Sequence, residues 1–185
     1  VDANPLIVVR DREGREREIK GEEAAFSLSL DLGWEYDTSV VRTIYESPTT
    51  PRTWIDNDLV AGTQTIRKVQ EIPSGHDRAL YLTERLHAPA PDGALVPITI
   101  LRRAGEEGAL PAPLFLYGYG SYGLAMDPTF SIRALSLVDR GLAFAIAHVR
   151  GGSEKGWGWF LDGRAEKKPN TFSDFIAAAE HLIEA

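Results

Sequence analysis

The sequence predicts a chain of two characters, α/β plus all-β, and three observations carry that expectation. Residues 1–72 hold short apolar or alternating segments with no helical pattern between them, the spacing of a sandwich, a barrel or a propeller blade. Two later segments, Leu114–Tyr117 and Leu142–Val149, are apolar without alternation, as strands covered on both faces are. Each of these runs straight into a glycine cluster and is followed by an amphipathic helical pattern.

In the first part, Pro5–Asp11 is apolar and β-branched, and Asp11–Gly14 reads as a turn before Arg15–Lys20. Phe26–Leu32 alternates Phe-Ser-Leu-Ser-Leu-Asp-Leu, the period of a half-buried strand. Val40–Glu46 and Arg52–Asp56 flank Ser47-Pro48-Thr49-Thr50-Pro51, and Leu59–Gly62 leads into Thr63–Val69. Asp56-Asn57-Asp58 hints at a calcium loop but lacks the required glycine and distal glutamate, so it reads as a hairpin turn.

The character changes near Ile72-Pro73-Ser74-Gly75, a boundary signal. Ala79–His87 and Ala94–Arg103 are predicted strands joined through Pro89–Gly93, with Asp92-Gly93 as the turn. A polar stretch, Ala104–Pro113, delivers the chain to the first apolar run. The helix beyond it is predicted to be capped by Asp127, to start at Pro128 and to bury Phe130, Ala134, Leu135 and Val138 before Gly141 closes it. Leu142–Val149 is expected parallel to the first run through this crossover. Arg150–Asn170 reads as a long loop. A last helix is expected from Asn170 or Thr171, with Thr171 and Asp174 at capping-box spacing. Its predicted stripe is Phe172, Phe175, Ile176, Ala179, Leu182 and Ile183.

Composition bounds the function. The 185 residues are 43% hydrophobic, which suits a globular core, and the net charge of −7 gives no basic footprint for nucleic acid or an anionic membrane. Without cysteine, disulfides, thiolate catalysis and cysteine-based metal sites are excluded. No run is long enough to span a bilayer and there is no signal-peptide pattern, from which a cytoplasmic location is expected. Val1 does not resemble a natural start, and the last helix reaches Ala185 without a stop signal, so the chain is expected to be a segment.

Gly118-x-Gly120-x-x-Gly123 after a buried strand matches the dinucleotide fingerprint, which places a helix N-terminus on a pyrophosphate and an acid after the next strand. Here the helix begins late, and the next strand ends in His148-Val149-Arg150 where the acid belongs. A glycine-rich strand-to-helix turn is the plainer alternative, and a nucleotide-binding oxidoreductase stays open. Arg150-Gly151-Gly152-Ser153-Glu154-Lys155-Gly156 is neither a phosphate loop nor a nucleophile elbow, since Lys155 stands where Gly-x-Ser-x-Gly needs glycine. It reads as a tight loop with Arg150 and Glu154 in local ion pairing. The 4 histidines show no metal-ligand spacing. His148, inside an apolar strand, reads as a hydrogen-bonded core histidine rather than a general base, and His76, His87 and His181 have no partner motif.

The linked blocks Phe115–Gly123, Asp127-Pro128, Leu135–Gly141 and Ala145–Gly152 together resemble the prolyl oligopeptidase family of serine peptidases. Within it, Ser121-Tyr122-Gly123, Ala147-His148 and Lys167-Lys168-Pro169-Asn170-Thr171-Phe172 are most similar to the oligopeptidase B branch. The resemblance extends upstream through Ser47–Pro51; Ser153 departs from the usual glycine, and Trp157-Gly158-Trp159 differs in detail. It implies the end of a β-propeller in residues 1–72, then the N-terminal part of an α/β-hydrolase domain in 76–185, truncated before the nucleophile elbow. It further implies that Tyr119 donates its hydroxyl to the oxyanion and that Tyr122 lies near substrate. The parent is then expected to cleave short peptides after Arg or Lys through an acyl-enzyme, with no metal and no cofactor. Its partners would be peptide substrates and the remainder of its own catalytic domain, and this stretch without its triad is expected to be inactive. A non-catalytic binding module with a hydrolase-like half is the remaining alternative.

Overall fold

The structure, a computed structural model, describes residues 2–31, 33, 35, 37–105 and 112–184. Strand β1 (Ile7–Arg10) pairs antiparallel with β2 (Glu16–Ile19), turned by the Asp11 carboxylate, which accepts the Arg15 N–H at 2.8 Å. Strands β3 (Ser27–Leu30), β4 (Val40–Glu46), β5 (Thr53–Asp58) and β6 (Thr63–Val69) follow as a four-stranded antiparallel sheet in sequence order. Alternation puts Leu28 opposite Tyr45, and these two with Phe26 and Ile19 form the core of this part, backed by Ile7, Val9, Val41 and Ile55. The expected extension of the third strand to Leu32 lies outside the described residues.

Asp56-Asn57-Asp58 is not itself the expected turn: it ends strand β5, and the hairpin turn follows at 59–62. Asp56 pairs with Arg42 and Arg67, Asn57 donates to the Val41 carbonyl, and Asp58 accepts the Val60 and Ala61 N–H groups across the turn. The Glu23 carboxylate receives the hydroxyls of Tyr45, Ser47, Thr49 and Thr50 at 2.6–3.0 Å. Burial opposes ionisation there, and the four hydroxyls outweigh it, holding Glu23 below the usual carboxylate range.

The second part is a four-stranded mixed sheet of β7 (Tyr81–Pro89), β8 (Leu95–Arg103), β9 (Leu114–Tyr117) and β10 (Ala143–Ala147), in the order β7-β8-β10-β9. β7 and β8 form the expected hairpin, with the Asp92 carboxylate accepting the Ala94 N–H, and β9 and β10 are parallel as expected. Helix α1 (Ile132–Val138) makes the crossover on one face through Ala134, Leu135 and Val138 against Leu101 and Phe144. Helix α3 (Pro169–Glu184) covers the other, seating Phe175, Ala178 and Leu182 on Ala88, Val96, Ile98, Ala145 and Ala147. Between them lies a short helix, α2 (Trp157–Leu161), and a 3-10 turn at Ala165–Lys167. Of the polar stretch before β9, residues 106–111 lie outside the described part.

Six expectations are corrected. Among the described residues β9 is not covered on both faces: it is the sheet edge, and Phe115 and Tyr117 are exposed on the α1 side, with the Phe144 ring stacked on Phe115 at 5.8 Å. Asp127 does not cap α1; the Ser131 hydroxyl does, accepting the Ala134 N–H at 3.3 Å. The chain at Pro128 is fully buried and not yet helical, because Phe130 still donates its N–H to Glu46. The loop 150–170 is not free of structure, since the Trp159 indole N–H bonds the His148 carbonyl at 3.0 Å and folds α2 onto the sheet. Thr171 and Asp174 form no capping box but lie inside α3 and are buried. The buried face of α3 is therefore turned, and Phe172, Ile176 and Ile183 are exposed.

Candidate active site

The Gly/Tyr loop leaves the end of β9 and is shaped by what lies beneath it. A Cβ on Gly118 would stand 2.9 Å from the Phe175 ring, so α3 packs directly on the bare backbone. Gly120 has φ +62, and a Cβ there would meet Thr171 Cγ2 at 2.4 Å and Val149 Cγ2 at 2.6 Å. Between these two glycines Tyr119 projects outward, 41% exposed, and among the described residues its hydroxyl has no partner. Tyr122 is 83% exposed and has φ +58, a conformation that costs a side-chain-bearing residue about 1–2 kcal/mol. The Gly123 N–H bonds the Gly151 carbonyl at 3.0 Å and closes the loop onto the second glycine cluster.

That second cluster is organised by Arg150. The expected pairing of its guanidinium with Glu154 is corrected: it reaches the buried Asp174 at 2.6 Å and Asp92 at 2.5 Å instead. The Asp174 hydrogen bonds, against the cost of burial, hold the Arg150 guanidinium above its ordinary range. Thr171 donates to the Arg150 carbonyl at 2.6 Å. Gly151 fits only as glycine, since a Cβ there would stand 2.1 Å from the Gly120 carbonyl oxygen. Glu154 instead accepts the Met126 N–H, and burial first, then the charge of Asp127, pushes its carboxyl up.

His148 is fully buried, with Nε2 and the Thr99 hydroxyl 2.7 Å apart, as a core histidine was expected to be. Burial, then the Arg85 charge, takes it down to about 3. His76 has its Nε2 at 2.7 Å from the Thr49 carbonyl, and His87 contacts Asp2. Among the described residues no group of three His, Asp or Glu could hold a metal, and no helix is long and apolar enough to cross a membrane. The helix after the loop starts only at Ile132, well past Gly123, so no helix N-terminus stands where the dinucleotide reading places a pyrophosphate.

A cavity of about 340 Å³ lies beside the loop on the α1 face, lined by Thr99, Tyr117, Met126, Asp127, Phe144 and Ile146 among others. Neither Tyr119 nor Tyr122 lines it, so this cavity and the tyrosine pair are neighbours rather than one site. Burial, then the nearby Glu46, raises the Asp127 carboxyl within it.

Sequence reasoning singled out the two tyrosines and did not foresee the contacts on their loop: Lys168, whose Nζ donates to the Gly120 carbonyl at 2.5 Å and the Ser121 hydroxyl at 2.8 Å, and the Arg150–Asp174 pair. A signal was present. Thr171, Asp174, Phe175, Ala178 and Leu182 follow helical spacing, and a carboxylate on such a face needs a buried cation.

A glycine-tyrosine loop after the third of four strands ordered β7-β8-β10-β9, preceded by a blade-like antiparallel sheet, defines the class: the end of a β-propeller followed by the opening part of an α/β-hydrolase domain. Residues 128–185 match the sequence profile of the prolyl oligopeptidase family. Over 98% of this chain the sequence is 41% identical to dipeptidyl aminopeptidase BI of Pseudoxanthomonas mexicana, of which it covers 25%. Oligopeptidase B of Leishmania major has the same fold at a TM-score of 0.86, with 42% identity over 97% of this chain and 26% of that one. Oligopeptidase B of Trypanosoma brucei, solved with covalently bound antipain, matches at 0.86 with 38% identity over 97% of this chain and 26% of that one. The chain belongs to the prolyl oligopeptidase family of serine peptidases and spans about a quarter of the length of these relatives.

Proposed function

We propose that residues 1–185 are part of a serine oligopeptidase that hydrolyses short peptides after Arg or Lys through an acyl-enzyme, and that Tyr119 supplies one oxyanion donor. Residues 1–72 would belong to the propeller and 76–185 to the hydrolase domain. The observation that carries the reading is the Tyr119 ring at the end of β9, between glycines that α3 packs against, with its hydroxyl unclaimed among the described residues. Such a donor is fixed before the reaction begins. When a serine supplied by another part of the parent attacks the scissile carbonyl, the carbonyl oxygen gains the negative charge that the phenol can meet. The covalent antipain complex of the Trypanosoma brucei relative supports covalent chemistry in the parent. Tyr122, exposed and held at positive φ beside it, is proposed to contact substrate. No serine of this chain lies in Gly-x-Ser-x-Gly, so residues 1–185 by themselves are expected to be inactive.

The test is Tyr119→Phe in the parent, assayed on an arginyl peptide with a chromogenic leaving group. The expected result is a fall in kcat of roughly 100–1,000-fold, with KM changed little. An unchanged kcat overturns the assignment.

A further inference from the structure

We propose that Lys168 is a positioning residue for Tyr119, fixing the backbone that immediately follows it; this rests on the oxyanion reading above. Lys168 stands where the 3-10 turn Ala165–Lys167 passes into α3. Its own backbone is tied on both sides, its N–H to the Ala165 carbonyl at 3.1 Å and its carbonyl to the Thr171 N–H at 3.1 Å. From that fixed base the side chain passes the Phe172 ring, 5.8 Å from Nζ to its centre, and delivers the ammonium to the Gly120 carbonyl and the Ser121 hydroxyl. Among the described residues no carboxylate pairs with it, so its hydrogen bonding is directed at the loop.

The loop needs such a hold. Gly120 at φ +62 is a freely rotating glycine that does not hold one conformation by itself, and Tyr122 at φ +58 is in a region that disfavours a residue with a side chain. Thr171 is the other side chain donating toward the Gly120 carbonyl, at the longer distance of 3.4 Å. Bonds from a charged donor are shorter and stronger than neutral ones, so the ammonium sets the direction of the Gly120–Ser121 peptide, one residue past Tyr119, and through Gly120 the position of the ring. Neighbouring Lys167 points elsewhere, pairing with Asp162 at 2.6 Å on the surface, and serves as an internal control.

The test compares K168M, K168R, K167M and Y119F in the parent enzyme, reading kcat and KM separately together with the melting temperature. K168M should lower kcat roughly 10–100-fold, the cost of a small misplacement, with KM within about twofold. K168R should restore most of that loss, and K167M should leave kcat unchanged. The double variant K168M/Y119F should be no slower than Y119F, because Lys168 acts through the hydroxyl that Y119F removes; a general packing defect would instead multiply the two losses. A K168M kcat within about twofold of wild type, or losses that multiply, overturns the proposal. Should K168M fail to fold, K168Q and S121A replace it: each should lower kcat, S121A by less because it removes one of two contacts, and unchanged kcat in both overturns the proposal. If Y119F leaves kcat intact, the oxyanion reading falls and this one with it. If Y119F is slow while K168M is fast, only the positioning role falls.

Discussion

At the scale of single residues, His148 is the group whose charge the fold controls most firmly. It is sealed between β10 and Thr99 and kept neutral down to about 3, against 6.5 when unfolded. Between those values the unfolded chain takes up a proton that the folded chain refuses. Stability is therefore whole above about pH 6.5 and drains away as the pH falls toward 3, by at most about 1.4 kcal/mol per pH unit. Melting curves of the parent between pH 7.5 and 5 should show a falling midpoint on the acid side, and His148→Gln should flatten that fall. An equal slope in both proteins would mean that other groups dominate. Tyr119 is the opposite kind of residue: exposed, with its hydroxyl unclaimed among the described residues, and defined by the glycines on either side of it.

At the scale of elements, α3 is tied to the loops by charge as well as by packing. Asp174 is fully buried, and it takes the Arg150 backbone N–H at 2.9 Å as well as the guanidinium. Asp174→Ala leaves Arg150 buried with Asp92 as its remaining carboxylate, and breaking such a pair costs about 3–5 kcal/mol. The denaturation midpoint of the parent should drop accordingly; a loss below about 1 kcal/mol would show that Asp92 suffices. The strands were legible because alternation and apolar runs report extended backbone: β3 from Phe-Ser-Leu-Ser-Leu and β10 from its unbroken apolar run both lie within the expected segments, although burial was less well read, with Leu30 of β3 and Phe115 and Tyr117 of β9 exposed. What misled was whatever depended on a distant partner. Thr171 and Asp174 have the letters of a capping box, and only the docking of Arg150 makes them interior groups. Asp127-Pro128 has the letters of a helix start, yet Glu46, from the other sheet, claims the Phe130 N–H and delays the helix to Ser131. Lys168 lay in a family-like block, but nothing in that block told of its contact with a carbonyl far away in sequence.

At the scale of the whole molecule, two apolar surfaces are open: Phe115 and Tyr117 on the edge strand β9, and Phe172, Ile176 and Ile183 along α3. Together with the edge of β9, unpaired among the described residues, they are surfaces of the kind that self-associate. Residues 1–185 expressed by themselves should elute from gel filtration as a broad, concentration-dependent assembly. A monodisperse sample with a cooperative melt would contradict this.

The clamp around Arg150 joins Asp92, Gly120, Gly163 and Asp174, and so draws on β8, β9, β10 and α3 together. Contacts this far apart along the chain form only after the intervening segments have docked, because the entropy of closing long loops is met before the contacts repay it. The tyrosine loop is then among the last features to take shape during folding. On the oxyanion reading proposed above, the donor becomes organised only once the sheet and α3 have docked.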